Sequence, residues 1–370
     1  MKYLIVTGTR ADFGKLKGLI KKLDSDHGDE VVIIATGMHL LEEFGQTVIE
    51  IEKLFPGKIK RIEGQKFQEN MSIGLSRFIK NFDFLLKAEE PDLVIVHGDR
   101  FDALGASIVA SNRSIHVLHI EGGEVSGTID EAIRHSVTKF SHIHMVSNET
   151  SRNRVIQLGE NPERTFITGS PETDILTSSA LPELEYVKNR YEITYSEYSI
   201  FCFHPVTSEY QEISTQIKVL ISFAESIDEN IIWIYPNNDA GGSIIIKELQ
   251  KINNPQIKIF DSIRFENYVT LLKNSKMIVG NSSSGVREAP VLGVPCLNVG
   301  SRQQGRVQSE LVHETKIDIE CLMRSYELIK SSKPTNSDRQ FGEGDVADKI
   351  IKIIKGLDLN SISIQKTFYE

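Results

Sequence analysis

Three carboxylates stand just beyond short apolar runs: Asp99 in His97-Gly98-Asp99-Arg100, Glu121 in His119-Ile120-Glu121-Gly122-Gly123, and Asp130 a few residues later. Such a group can supply a base, an acid and an orienting partner, with environment separating their pKa values. One carboxylate alone is more often a helix cap or a surface ion pair. Three in succession point to proton transfer, with Glu124 and Glu131 read as solvent-facing neighbours. His204 closes an apolar run ahead of Pro205 and is a fourth candidate, although a histidine so placed often only hydrogen-bonds into a core. His142 and His144, two apart, have no third ligand arranged nearby and read as packing. Cys202, Cys296 and Cys321 lack any zinc spacing, so no metal is expected.

A second set suits phosphate. Thr7-Gly8-Thr9-Arg10-Ala11-Asp12-Phe13-Gly14 leads into a helix expected from Lys15 and is neither a dinucleotide fingerprint nor a P-loop. A glycine turn before a helix still offers N–H donors and a positive dipole end, and Arg10 adds a planar cation. A plain turn with an exposed arginine fits this segment equally well. Gly280-Asn281-Ser282-Ser283-Ser284-Gly285-Val286-Arg287-Glu288 carries more hydroxyls than a helix cap needs. It can wrap a diphosphate, with Glu288 in the first turn accepting from a ribose diol. Arg302 and Arg306 follow in a loop that is either a phosphate clamp or solvated.

These residues need elements to hold them. Apolar runs rich in β-branched residues fall at 3–7, 31–35, 93–97, 115–120, 143–146 and 165–168. A further set falls at 199–204, 231–235, 257–260, 277–279 and 295–299, each run spaced from the next by helical stretches. That alternation predicts an α/β chain with parallel sheets covered on both faces. The polar stretch 178–196 is the best boundary, giving two Rossmann-like domains with an interdomain cleft and ligands beyond the strand carboxyl ends. The chain has 370 residues, 40% hydrophobic and 25% charged, which excludes disordered, collagen-like and coiled-coil proteins. A net charge of -9 argues against nucleic acid as a partner. No apolar segment is long enough for a secretory signal or a membrane span, and the few scattered cysteines fit reduced thiols, so a cytoplasmic enzyme is expected.

Taken in order, these segments resemble a family: the hydrolysing UDP-N-acetylglucosamine 2-epimerases of bacterial sialic acid synthesis. The likeness includes Ile133-Arg134-His135-Ser136, Gly169-Ser170-Pro171, Phe203-His204-Pro205-Val206-Thr207 and Tyr235-Pro236-Asn237. The meningococcal type is notable in Thr9-Arg10-Ala11-Asp12-Phe13-Gly14-Lys15-Leu16-Lys17. The resemblance implies a glycosyltransferase-B-like fold, with domains at 1–177 and 178–355 and a tail from about 356 packing back on the first. It implies that UDP-N-acetylglucosamine and water give N-acetylmannosamine and UDP through 2-acetamidoglucal, with no cofactor. By matching position, Asp99, Glu121, Asp130 and His204 are catalytic. Asp99 and Glu121 are expected to handle the C2 and glycal protons, with Asp130 orienting a partner or activating water. Arg10, Arg100, Gly169, Asn237, Ser282, Ser283, Glu288 and Arg302 match substrate or UDP contacts, and Tyr268 either flanks the uracil or packs into the core. The family also leads to an expected homodimer or dimer of dimers; acids mainly in the first domain and phosphate donors mainly in the second predict that the domains close on UDP.

The rival readings are the same chemistry on a UDP-2,4-diacetamido-trideoxyhexose, a non-hydrolysing epimerase and a glycosyltransferase of this architecture. A non-catalytic nucleotide-sugar sensor is the remotest, because every proposed catalytic position is filled. The form Thr9-Arg10-Ala11-Asp12-Phe13 favours the hydrolysing branch, and the acid cluster counts against a transferase.

Overall fold

The computed structural model describes every residue except 27, 127, 307–308 and 332–336. The chain divides into two compact units: Met1–Val125, Ile129–Thr177 and Gln340–Glu370 form the first, Ser126–Thr128 and Ser178–Arg339 the second.

The first unit holds β1 (Lys2–Thr7), β2 (Glu30–Ala35), β3 (Ile59–Arg61), β4 (Leu93–His97), β5 (His116–Ile120), β6 (Ile143–Val146) and β7 (Thr165–Ile167). They form one parallel sheet in the order β3-β2-β1-β4-β5-β6-β7. The two-residue side-chain period of a strand, covered on both faces, explains why the successive residues Tyr3–Val6 of β1 are all apolar. Tyr3 and Ile5 enter the core on one face; Leu4 and Val6 enter the core on the other. The helix Arg10–Asp24 covers the first face through Phe13, Leu16, Leu19, Ile20 and Leu23. The helices Met71–Glu89 and Phe101–Asn112 cover the second.

The second unit holds β8 (Ser199–Cys202), β9 (Ile231–Ile234), β10 (Ile257–Phe260), β11 (Ile278–Gly280), β12 (Cys296–Val299) and β13 (Val312–Thr315). Its parallel order is β10-β9-β8-β11-β12-β13. In both sheets the winding direction reverses beside the first strand, between β1 and β4 and between β8 and β11. Ligand crevices of doubly wound sheets lie beyond the strand ends at this reversal.

Two strands escape the sequence pattern. β3 and β13 are edge strands of three and four residues, largely polar, and lack the apolar run that marks a covered strand. The helix after β1 begins at Arg10, not Lys15, because the Thr9 side chain accepts the Asp12 N–H and caps it there. The returning chain joins the first unit from Gln340, earlier than the expected 356. The helix Val346–Gly356 buries Val346, Ala347, Ile350 and Ile354 in the first core, and the Asp174 carboxylate accepts the N–H groups of Val346 and Ala347 at 2.7 and 2.8 Å.

Candidate active site

In the first unit the switch point brings β1 and β4 side by side, so their downstream residues meet. Asp12, in the first turn of the helix Arg10–Asp24, accepts from Gly8 N–H at 3.1 Å and lies 2.8 Å from His97 Nδ1 at the end of β4. His97 Nε2 lies 3.1 Å from Glu121 Oε2, an ion-pair contact and not a well-aligned hydrogen bond. Burial alone would push the imidazole down, but the charges of Glu121 and Asp12 outweigh it and raise His97 to about 9. His97 is therefore an imidazolium held between two carboxylates. Burial likewise opposes the charge of Asp12, yet the bond to His97 leaves its pKa below the ordinary value.

Glu121 is buried and takes a left-handed backbone conformation with φ +67°, unusual for a residue with a side chain. Its N–H donates to Met145 O at 2.8 Å, so the β5–β6 ladder runs on into this residue. Asp99 pairs with Arg134, whose Nη1 also donates to Glu124 O at 3.1 Å. Arg134 is buried, while the Asp99 side chain keeps partial access to water. Asp130 opens the helix Ile129–Phe140, and Arg134 follows it by one turn on the same face. The structure thus joins Glu121 to His97 and Asp99 to Arg134, with Asp130 on the helix that carries Arg134.

Arg10 is the first residue of its helix, with Nε 3.8 Å from Glu50 Oε2. Arg100 caps the helix Phe101–Asn112 by position and lies over the Phe101 ring at 5.6 Å. Gly169, at φ +90°, packs against the returning segment, where a Cβ would crowd Val346 and the Phe341 carbonyl. His142 and His144 are engaged in the fold. His142 Nδ1 accepts Val117 N–H while Nε2 lies 3.1 Å from Ile364 O, and His144 Nε2 lies 3.1 Å from Glu160. Among the described residues no group of three or more His, Cys, Asp or Glu could hold a metal ion.

The second switch point organises His204. Its N–H donates to Asn281 Oδ1 at 2.6 Å, and Asn281 Nδ2 donates to its carbonyl at 2.8 Å. His204 Nδ1 accepts Asn237 N–H at 3.0 Å, which puts the proton of the neutral ring on Nε2, 3.4 Å from Cys202 Sγ. Burial raises the Cys202 thiol to about 11, so it stays protonated. Asn237 also donates from its side chain to Asp239 at 2.5 Å. Arg302 Nη1 and Gln303 Nε2 both donate to Asn281 O, at 3.1 and 2.7 Å. Ser282 caps a four-residue helix, Ser283–Val286, and Ser284 Oγ meets Tyr268 Oη at 2.5 Å. The single expected helix breaks at Arg287, so Glu288 starts a second one, Glu288–Val291, instead of sitting in the first. Pro290 explains the break: it has no N–H to give, and its ring would clash with the carbonyl of Val286.

The family profile for UDP-N-acetylglucosamine 2-epimerase matches residues 21–355. The chain is 39% identical to the UDP-N-acetylglucosamine 2-epimerase of Neisseria meningitidis serogroup B over 372 aligned residues, covering 100% of this chain and 99% of that one. It belongs to the UDP-N-acetylglucosamine 2-epimerase family. A relative from Legionella pneumophila, UDP-N,N'-diacetylbacillosamine 2-epimerase (hydrolyzing), is 30% identical and covers 99% of this chain and 98% of its own. Among solved structures, a Neisseria meningitidis UDP-GlcNAc 2-epimerase bound to UDP-GlcNAc superposes with a TM-score of 0.78. It is 21% identical and covers 96% of this chain and 100% of that one, which gives the same glycosyltransferase-B-like architecture.

Asp12, His97, Arg134, Asn281 and Gln303 are site residues that no sequence motif singles out. Arg134 lies within the helix Ile129–Phe140 and Gln303 follows β12, away from both switch points, whereas Asp12, His97 and Asn281 lie at strand ends of a switch point. A charged or amide side chain there was the available signal.

Proposed function

We propose that this family enzyme hydrolyses UDP-N-acetylglucosamine, giving N-acetylmannosamine and UDP, and so supplies the amino sugar for sialic acid and surface polysaccharide synthesis. The observation that carries the reading is the pairing at the ends of β4 and β5: Asp99 on Arg134, and Glu121 on a cationic His97.

The C2 proton is weakly acidic, so C1–O cleavage must lead and place positive charge on C1. Asp99, fixed by Arg134, offers negative charge to that carbon. Glu121 takes the C2 proton, the C2–H electron pair becomes the C1=C2 bond, and the oxygen leaves with UDP. Water then adds its oxygen to C1 and gives its proton to Asp130. Asp99 relays a solvent proton to the opposite face of C2, which inverts that centre. The His204 Nε2–H, Arg10, Arg100, Arg302, Ser282 and Ser283 serve the departing diphosphate, Asn237 and Gly169 the sugar, Glu288 the ribose and Tyr268 the uracil.

A second substrate, a UDP-diacetamido sugar, is supported by the Legionella relative, a UDP-N,N'-diacetylbacillosamine 2-epimerase (hydrolyzing). The test is incubation with UDP-N-acetylglucosamine in deuterated water, followed by NMR. N-acetylmannosamine deuterated at C2, together with UDP, is expected. UDP-N-acetylmannosamine as product would replace the reading with the non-hydrolysing reaction, and transfer to an added acceptor would replace it with a glycosyltransferase. Inertness here with turnover of the UDP-diacetamido sugar would move the substrate.

A further inference from the structure

We infer that Asp12 is a positioning residue for this reaction: it reaches across the first switch point, orients the His97 ring and thereby sets Glu121 to begin the cycle as the ionised base at C2. The inference rests on the reading above, in which Glu121 moves the C2 proton.

Three observations carry it. Asp12 and His97 are 85 residues apart, yet the β1–β4 pairing holds Asp12 Oδ1 2.8 Å from Nδ1. Asp12 is itself anchored, because Gly8 N–H donates to its other oxygen. The remaining ring nitrogen faces Glu121, whose left-handed backbone aims the carboxylate at the ring. A ring gripped on one side by a carboxylate can present only its other N–H to Glu121, and it carries positive charge there. The Asp12–His97 pair therefore favours a negative Glu121, the form that accepts a proton. During the step the C2 proton moves to Glu121, and His97 keeps both of its own.

The charged and titratable groups around the ring can be separated by pH. His39, beyond β2, and His119, on β5, are driven by burial to about 4 and about 3 and stay neutral. Asp102, on the helix Phe101–Asn112, is raised by burial to about 6 and titrates on the acid side. The guanidinium charges of Arg10 and Arg100 act on His39 and Asp102 respectively, lowering both. His97 is left as the group of this cluster that loses its charge above neutrality.

The test is Asp12→Asn in the full chain, read as a pH profile. Near pH 9 the wild-type ring loses the charge and the N–H it holds towards Glu121, so the carboxylate is no longer fixed and kcat should fall. In Asp12→Asn that limb should move down by about one pH unit or more, so that kcat at pH ~9 is about fivefold below wild type, with KM changed much less. An unmoved limb, or a loss confined to KM, would overturn the inference. Should the variant not fold, NMR titration of ring-labelled wild-type enzyme decides instead: His97 must titrate near 9, and a value below 7 would refute a dicarboxylate-held imidazolium. Glu121→Gln separates the two levels of argument. If it retains deuterium incorporation at C2, the catalytic reading of Glu121 fails. If it abolishes incorporation while Asp12→Asn leaves the profile unmoved, only the role of Asp12 fails.

Discussion

Asn281→Ala should weaken the second unit and disarm His204 together. Asn281 is 1% exposed, and its side chain makes two bonds to the His204 backbone, at 2.6 and 2.8 Å. Each such bond contributes about 1 kcal/mol net, and removing the partner of a half-buried backbone group costs up to about 2 more. The total loss is about 3 kcal/mol. Taking a urea m-value of about 3 kcal/mol/M for a unit of this size, the midpoint falls by about 1 M. The chain contains one tryptophan, Trp233, on β9. It is buried, with its ring centroid 5.1 Å from that of Phe201 in the same core, so tryptophan fluorescence follows this unit alone. Arg302 and Gln303 bond to the Asn281 backbone carbonyl, which alanine retains, so the loss is specific to the His204 clamp. Turnover should drop about tenfold or more as the ring loses its fixed position. Asn281→Asp keeps the acceptor and loses the donor, and should fall between the two. A midpoint shift under about 0.2 M with normal turnover would refute the clamp.

Gly280→Ala should prevent the second unit from folding, because Gly280 sits at φ +141° and a Cβ there would overlap the Cys202 carbonyl oxygen; soluble protein with native tryptophan emission would count against this. Glu160 gives a prediction in pH. Burial pushes its carboxyl up, but the bond and charge of His144, the charge of Lys366 and the bond from Lys139 bring it down to about 2. A depressed carboxylate stabilises above its unfolded pKa, so up to about 3 kcal/mol is present above pH ~4.5 and is lost as pH falls towards 2. Glu160→Gln should flatten that acid decline in circular-dichroism unfolding curves; an unchanged slope would show that the pairing contributes nothing.

The covered strands were legible from the sequence, since a parallel sheet flanked by helices needs apolar side chains on both faces and leaves continuous runs such as Leu93–His97. The acids Asp99 and Glu121 were legible for the same reason, because they follow such runs. β3 and β13 were not, since these two edge strands are largely polar, unlike the edge strands β7 and β10, whose apolar residues mark them. Pro290 could have warned that the helix carrying Ser283 would not reach Glu288. The partners were hidden throughout. Asp12 looks like an element of a phosphate turn until β1 and β4 lie together and His97 meets it. Arg134 looks like a surface residue until its helix turns it onto Asp99. The sequence by itself determined which residues carry charge and which segments become strands, because both are written in local composition. Only the tertiary structure decided which charge faces which, because that depends on strand order, and pairing β1 with β4 joins residues that chain distance keeps apart.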